Sequence, residues 1–439
     1  MSHCDSIIRS LEDHPSRLNK EGILEAESTN NNLELFEGLR LALDSLITFG
    51  VKKVPKHGGP DGQGLPWSAF KELCDLLYTR QLTGNDARDA IELALSASTQ
   101  SQWNDWYRRI LTKDLKCGIS EKTVNKVLKS FPDIESVPVF ECMLAHDGAN
   151  HEKKITGKKL LEPKLDGVRV ITVVNYETKT VTQYSRNGKV LENFAHITKS
   201  LEDNIELFGR SYVLDGEMVS SSFQELMKQV HRKDDVDAAD ARLMLFDIIP
   251  LVEFRAGKST LGQRRRSNLL RSMKDSFDKV GNVDIIPQIE VDLDSYVGEL
   301  EFKQYNKDAI DAGYEGIMIK DIDSKYECKR SVSWLKMKPF IEVSLNVIAV
   351  EEGTGKNEGR LGALICEGED DGKKIRVNVG SGLTNDQRTE FWNDQKDLLG
   401  QIVEIRADAA TLNQDSEDVY SLRFPRFLRF RGFKAGEKI

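Results

Sequence analysis

Cysteine is scarce and scattered: Cys4, Cys74, Cys117, Cys142, Cys328 and Cys366 are the six in 439 residues, and no two form a C-x-x-C pair. That spacing removes the usual zinc-site and disulfide-framework signatures, and a reducing compartment is the simplest setting. Long apolar runs are missing too. No stretch reaches the roughly 20 apolar residues that cross a bilayer, and the opening MSHCDSIIRSLEDH lacks the apolar run of a signal peptide, so an intracellular, soluble chain with no membrane partner is expected. An excess of positive charge is also absent. With 62 Lys and Arg against 71 Asp and Glu the formal net charge is -9, which excludes an indiscriminate nucleic-acid binder and requires any polyanion site to be local. No internal repeat or long low-complexity tract is found.

What is present is a globular composition, 39% hydrophobic and 30% charged, in a chain longer than one core usually organises, so two or three domains are expected. Residues 1 to about 130 read as all-α. Leu35, Phe36, Leu39, Leu43, Leu46 and Ile47 recur at helical spacing up to Gly50, and Phe70, Leu73, Cys74 and Leu77, then Ala87, Ile91, Ala94 and Leu95, repeat the pattern beyond a Gly/Pro-rich loop. Residues 131–340 read as mixed α/β (α+β). The period changes to that of strands in VRVITVV (168–174), TVTQYS (180–185), SYVLDGEMV (211–219), RLMLFDII (242–249) and GIMIK (316–320), with a helix expected over 257–276. Residues 341–439 hold short strands, Gly-rich turns and one helix (384–399), an all-β pattern whose leading candidate is an OB-fold barrel.

The sharpest chemical signal is Lys164-Leu165-Asp166-Gly167-Val168-Arg169, just before a strand. A lysine attacks only as the neutral amine, so a nucleophilic Lys164 needs neighbouring cations, for which Arg169, Lys336 and Lys338 are candidates. Alone, K-x-D-G-x-R is equally compatible with a surface turn. Further pieces follow in order, however: Ser185-Arg186-Asn187-Gly188, Asp215-Gly216-Glu217, Phe246-Asp247, Glu315-Gly316-Ile317-Met318-Ile319-Lys320 and Trp334-Leu335-Lys336-Met337-Lys338. In this set the chain resembles the covalent nucleotidyltransferases, the superfamily of DNA ligases, RNA ligases and mRNA capping enzymes.

Each piece has a physical job in adenylyl transfer. Glu217 and Glu315, at strand ends, suit Mg²⁺ as hard oxygen ligands. The resemblance gives Glu217 a ribose contact as well, Phe246 an adenine to stack on, and Glu162, or the backbone beside it, the purine amino group. A core residue of an apolar strand is the alternative reading of Phe246, and the lesser one. Arg169, Arg186 and Arg330 offer planar forks for ribose and phosphate oxygens, and Lys336 and Lys338, two apart on a strand, can both reach the α-phosphate.

Within the superfamily, the helical N-terminal segment separates ligases from capping enzymes. Lys113-Asp114-Leu115-Lys116-Cys117-Gly118-Ile119-Ser120-Glu121-Lys122-Thr123, in a locally basic stretch from Arg108 to Lys129, resembles the end of the DNA-binding domain of ATP-dependent DNA ligases. A turn at Gly118 with Ser120 opening a helix suits a backbone phosphate, and Lys116, Lys122 and Lys126 are the candidate partners. The C-terminal run from Ser421 to Lys434 resembles the last ligase motif; it ends Arg431-Gly432-Phe433-Lys434, with Phe433 where Asp is common and with Lys434 and Arg429 as pyrophosphate-orienting cations. No nicotinamide-recognition region or cysteine zinc module accompanies the K-x-D-G core, so ATP is favoured over NAD. The layout most resembles the compact viral and phage ligases; a viral origin would place the chain in the cytoplasm of a bacterial host, and a nuclear location stays open. The resemblance therefore implies three domains (DNA-binding, nucleotidyltransferase and OB-fold) in a monomer that uses ATP and Mg²⁺, forms lysyl-AMP on Lys164 and seals nicked double-stranded DNA. Gln100 to Tyr107 faintly resembles a sliding-clamp peptide, although a buried helix face explains it better. Two other readings stay open here: RNA ligation or capping, which substrate competition separates, and a catalytically dead DNA clamp, which the intact Lys164, Glu217, Glu315 and Lys336 oppose.

Overall fold

The computed structural model describes all residues except 1–3, 52, 221–239, 413–417 and 434–439. Two compact units emerge, one of Met1–Glu299 with Ile319–Leu335 and one of Leu300–Met318 with Lys336–Ile439. Among the described residues no helix is long and apolar enough to cross a membrane.

The first unit opens with helices α1 (Cys4–Asp13), α2 (Arg17–Thr29), α3 (Leu33–Leu43), α4 (Trp67–Tyr78) and α5 (Gly84–Ala97). Their apolar stripes meet in one core that takes Ile8, Leu24, Leu39, Phe70, Leu77 and Ile91 fully or almost fully out of water. The stripe expected to run to Gly50 stops earlier. Helix α3 ends at Leu43, because Asp44 turns to an extended conformation and its carboxylate accepts from the Leu46 N–H, so Leu46 and Ile47 lie beyond the helix. A later helical run passes through a π-turn at Trp103–Tyr107, and Trp103, Trp106 and Tyr107 are all buried there, with the Tyr107 ring stacked on Phe70 at 3.9 Å. The faintly clamp-like stretch is thus core. Glu121–Leu128 forms α6.

The rest of this unit is an α/β body. Strands β1 (Leu144–Asp147), β2 (Lys158–Pro163), β3 (Val168–Asn175), β4 (Thr180–Ser185), β5 (Tyr212–Val219), β6 (Arg242–Pro250), β7 (Lys258–Gly262), β8 (Val283–Ile285), β9 (Ile289–Asp292), β10 (Ile317–Asp321), β11 (Lys325–Glu327) and β12 (Arg330–Met337) build two five-stranded sheets, β4-β3-β5-β6-β8 and β1-β12-β10-β2-β9, and the pair β11-β7. The final residues of β12 and the first of β10 belong to the second unit. Strand β3 reads as an apolar run rather than an alternation because both faces are covered. Val170 and Val174 join a core with the helices on one side, and Ile171 and Val173 join Phe246, Tyr326 and Trp334 on the other. The helix expected over 257–276 is shorter than its pattern: Lys258–Gly262 is a strand, and helix begins at Gln263.

The second unit is built on β13 (Ile341–Glu352), β14 (Leu361–Asp370), β15 (Lys373–Val379), β16 (Ile402–Ala407), β17 (Ala409–Leu412), β18 (Val419–Arg423) and β19 (Arg426–Phe430), ordered β17-β18-β15-β14-β13-β16-β19. A parallel bridge between Ser381 and Arg426 brings the end of β15 back to β19, so the sheet curls on itself as an OB-like barrel. Alternation is clean here. Val343, Leu345 and Val347 face a core that Val403, Ile405 and Phe427 complete. The expected helix over 384–399 is two helices, Asn385–Asn393 and Gln395–Leu398, the first opened by a Thr384–Gln387 capping box.

Candidate active site

Lys164 sits in the short turn between β2 and β3, half-buried, its Nζ donating to the Leu165 carbonyl at 3.3 Å. Gly167 explains why this turn can lie where it does. A Cβ at that position would stand 2.3 Å from the Met218 carbonyl oxygen and 2.8 Å from Glu217 Cγ, so only glycine lets the turn press onto β5 beside Glu217. Gly216 is constrained in the same way, since a Cβ there would stand 2.8 Å from the Met244 carbonyl oxygen. The K-x-D-G and D-G-E motifs are therefore two sides of one close backbone approach. Cross-strand register places Arg169 directly opposite Glu217.

The two sheets face each other across a cluster of aromatic rings and charges. From one sheet come Glu162 on β2, Lys320 on β10 and Trp334 on β12; from the other come Arg169 on β3, Asp215 on β5 and Phe246 on β6. Arg169 is held by a two-pronged bond to Asp215, Nε–Oδ1 2.9 Å and Nη2–Oδ2 2.7 Å, and the Tyr326 hydroxyl donates to the same carboxylate at 2.7 Å. Burial works against the Arg169 charge, yet the Asp215 carboxylate holds its pKa well above the ordinary arginine value. Its fork, expected to meet ribose or phosphate, is used inside the protein. The Phe246 ring is 8% exposed, lies edge-on to Trp334 at 6.0 Å, and has the Arg169 guanidinium at 5.3 Å and the Lys320 ammonium at 4.6 Å from its centroid.

Glu162 and Lys320 form a fully buried ion pair, Nζ–Oε1 2.7 Å, and Gln288 donates to the other Glu162 oxygen at 2.6 Å. Burial pushes the Glu162 carboxyl up against the opposing pull of Lys320. Sequence reasoning assigned no role to Lys320, Asp215, Trp334, Tyr326 or Gln288. The first three stood inside quoted motifs, where a charge in an apolar strand or an aromatic beside a lysine pair was the available signal; Tyr326 and Gln288 carried none.

The remaining nucleotide candidates are spread more widely. Arg186 is exposed in the hairpin turn before Gly188, and Arg330 donates to the Ala145 carbonyl. Within the second unit Glu315 pairs with Lys338 at 2.9 Å, and half-buried Lys336 lies two residues before it. Gly316 there has φ +129° and would place a Cβ 2.1 Å from the Met337 carbonyl, which fixes the E-G step beside that strand. Lys434 lies outside the described residues. Mg²⁺ commonly binds through one or two carboxylates plus phosphate oxygens and water, and half-buried Glu217 and Glu315 suit that mode as hard oxygen donors. No group of three or more His, Cys, Asp or Glu gathers among the described residues.

The basic stretch from Arg108 to Lys129 is less basic at its surface than in its sequence. Arg108 donates to the Val54 carbonyl, buried Arg109 to the Leu115 carbonyl, and Lys113 to the carbonyls of Leu41 and Asp44, where burial pushes its pKa down to about 8. Lys116, Lys122 and Lys126 remain exposed, with Lys122 3.5 Å from Glu141 and Lys126 2.6 Å from Glu21. Gly118 takes φ +62° in the turn, and Ser120 caps α6 in extended geometry with its hydroxyl 3.2 Å from Thr123 Oγ1.

Comparison with known proteins gives a consistent picture. Residues 142–338 match the family model "ATP dependent DNA ligase domain", and residues 352–431 match "DNA ligase OB-like domain". The DNA ligase of Enterobacteria phage T4 is 26% identical over 97% of this chain and 95% of its own length. DNA ligase 2 of Methanosarcina acetivorans is 31% identical over 63% of this chain and 52% of its own, so the chain spans about half the length of the archaeal relatives it matches. A solved structure named Pmar-Lig_PreS3 is 49% identical, covers 98% of this chain and is itself covered completely, with a TM-score of 0.65.

Proposed function

This chain belongs to the ATP-dependent DNA ligase family, and from that premise we propose that it seals nicks in duplex DNA through lysyl-AMP on Lys164. The observation that carries the reading is the Gly167 approach, which holds the Lys164 turn against β5 with Glu217 beside it. In the first step deprotonated Lys164 Nζ forms a bond to the ATP α-phosphorus as the bond to pyrophosphate breaks. A 5′-phosphate oxygen at the nick then displaces the lysine, and the 3′-hydroxyl finally displaces AMP, leaving a phosphodiester. Glu217 and Glu315 would each offer a carboxylate oxygen to Mg²⁺, which would supply neutralisation of charge on the transferring phosphorus. The chain's own residues bind and position. Phe246 and the Glu162 region receive the purine, Arg186, Arg330, Lys336, Lys338 and Lys434 meet ribose and phosphates, and Arg169 is braced by Asp215.

We assign residues 1–130 to DNA binding, with Lys116, Gly118, Ser120, Lys122 and Lys126 at the phosphate backbone, residues 131–340 to adenylyl transfer and residues 341–439 to the OB-fold. The test is direct: with ATP and Mg²⁺, a duplex carrying a labelled 5′-phosphate at a single nick should become one continuous labelled strand, and a nicked RNA duplex should compete poorly. Failure to lengthen the DNA strand, or preferential sealing of the RNA, overturns the proposal.

A further inference from the structure

Two nearly buried cations hold the turn before α6 from beneath. Leu115 and Cys117, two apart, turn their carbonyls inward, the first accepting from Arg109 Nη1 at 2.8 Å and the second from Lys20 Nζ, on α2, at 2.6 Å. Arg109 is 7% exposed and Lys20 8%. Only one of the two charges is answered. Arg109 is neutralised by Glu12 at 2.7 Å and Asp105 at 3.0 Å. Glu21, the acid next to Lys20, is taken by Arg17 and Lys126, and among the described residues Lys20 has no carboxylate within ion-pair distance. A nearly buried ammonium without a counter-charge is unfavourable in the folded chain unless an anion arrives to meet it.

Gly118 shows from which side the anion can come. It is exposed, with φ +62°, and a Cβ built on it would stand 2.9 Å from Lys20 Nζ; beyond the glycine's chain neighbours, no other heavy atom of the described residues lies within 4 Å of that point. An oxygen placed there meets solvent on one side and the ammonium, at hydrogen-bond distance, on the other, and the Cys117 carbonyl uses only one of the three N–H donors. We infer that Lys20 is a binding residue for duplex DNA: through the gap over Gly118 its ammonium donates to one backbone phosphate oxygen. A phosphate suits the setting because Ser120 opens α6 two residues on, and exposed Lys116 and Lys122 add positive charge around the same point. Glycine at 118 then serves twice, since it accepts the left-handed backbone and leaves the ammonium uncovered.

The inference rests on the reading of residues 1–130 as the DNA-binding part of a ligase, and the experiment separates the two. Binding of a nicked duplex is titrated across salt concentrations for wild type, Lys20→Gln, Gly118→Ala and the double variant. Lys20→Gln keeps an N–H donor for the Cys117 carbonyl but removes the charge; Gly118→Ala keeps the charge but fills the gap. Each should weaken binding by about tenfold at low salt and flatten the log–log slope by about 0.9, the change for one phosphate contact. The double variant should lose no more than about twofold beyond either, because both changes remove the same contact. If Lys20→Gln does not melt cooperatively, Gly118→Ala carries the test alone. Wild-type affinity and slope in Lys20→Gln would make the lysine a mere prop for the turn and overturn the inference, as would additive losses in the double variant or an unchanged slope in Gly118→Ala. A wild-type chain with no salt-dependent affinity for the nick would instead overturn the DNA-binding reading itself.

Discussion

Replacing Lys320 with Met tests the core of the site, because it removes one charge from an ion pair with almost no water around it. Both side chains are nearly sealed, 0% exposed for Lys320 and 3% for Glu162, and the pair closes at 2.7 Å. Met keeps most of the stem volume, so the loss is electrostatic. Breaking a buried pair strands the partner charge and costs about 3–5 kcal/mol, whereas an exposed pair such as Lys126–Glu21, 52% exposed at the lysine, is worth about 0–1 kcal/mol. For a domain of this size each kcal/mol shifts the melting temperature by about 2–4 °C, so the transition of nucleotide-free Lys320→Met should fall by roughly 6–20 °C. The deficit should also depend on pH. The folded-state pKa of Glu162 is raised, so the stability tied to its protonation is present below the unfolded value and lost as pH rises through the folded one. Removing Lys320 raises it further, and the variant should recover stability as pH falls toward the acidic range. Adding Glu162→Gln should restore most of the loss at neutral pH. Circular-dichroism melts of the three proteins at several pH values decide it. A Lys320→Met variant as stable as wild type, or a deficit that neither acid nor Glu162→Gln relieves, refutes the reasoning.

Other perturbations address the remaining parts. Glu217→Ala and Glu315→Ala should each lower nick sealing by roughly a hundredfold or more while melting near wild type; wild-type rates in either would return that carboxylate to an ordinary surface group. Gly167→Ala should destabilise by about 1–3 kcal/mol and slow lysyl-AMP formation, since its methyl would meet the Met218 carbonyl at 2.3 Å; an unperturbed variant would show that the turn has room. Neutralising Lys116, Lys122 and Lys126 together should weaken nick binding and flatten its salt dependence by about 0.9 in log–log slope for each true phosphate contact. An unchanged slope in binding titrations would place the DNA elsewhere.

The strand ladder was legible because β3, β5 and β6 carry long apolar runs, and the motif residues Arg169, Glu217 and Phe246 lie within them. Element limits were harder where local chemistry overrides period. Asp44 stops α3 before Leu46, and Lys258–Gly262 pairs as a strand with β11 although it precedes a helix of the same polarity. The motifs located the site but not its internal pairing. Nothing local to Arg169 indicates that Asp215 and Tyr326 occupy its neighbourhood, and nothing local to Glu162 indicates a lysine 158 positions later, because both pairings depend on how the two sheets face each other. Local charge counts misled in a similar way: Arg108, Arg109 and Lys113 spend their donors on backbone carbonyls of their own fold.

The central claim is that Lys164 becomes covalently adenylylated. Incubating the protein with Mg²⁺ and ATP labelled at the α-phosphate, then separating it under denaturing conditions, measures this directly. Wild type should retain label in an acid-labile bond, with the tagged peptide containing Lys164, and Lys164→Ala should retain none. A labelled Lys164→Ala protein, or label on wild type at another lysine, would contradict the account.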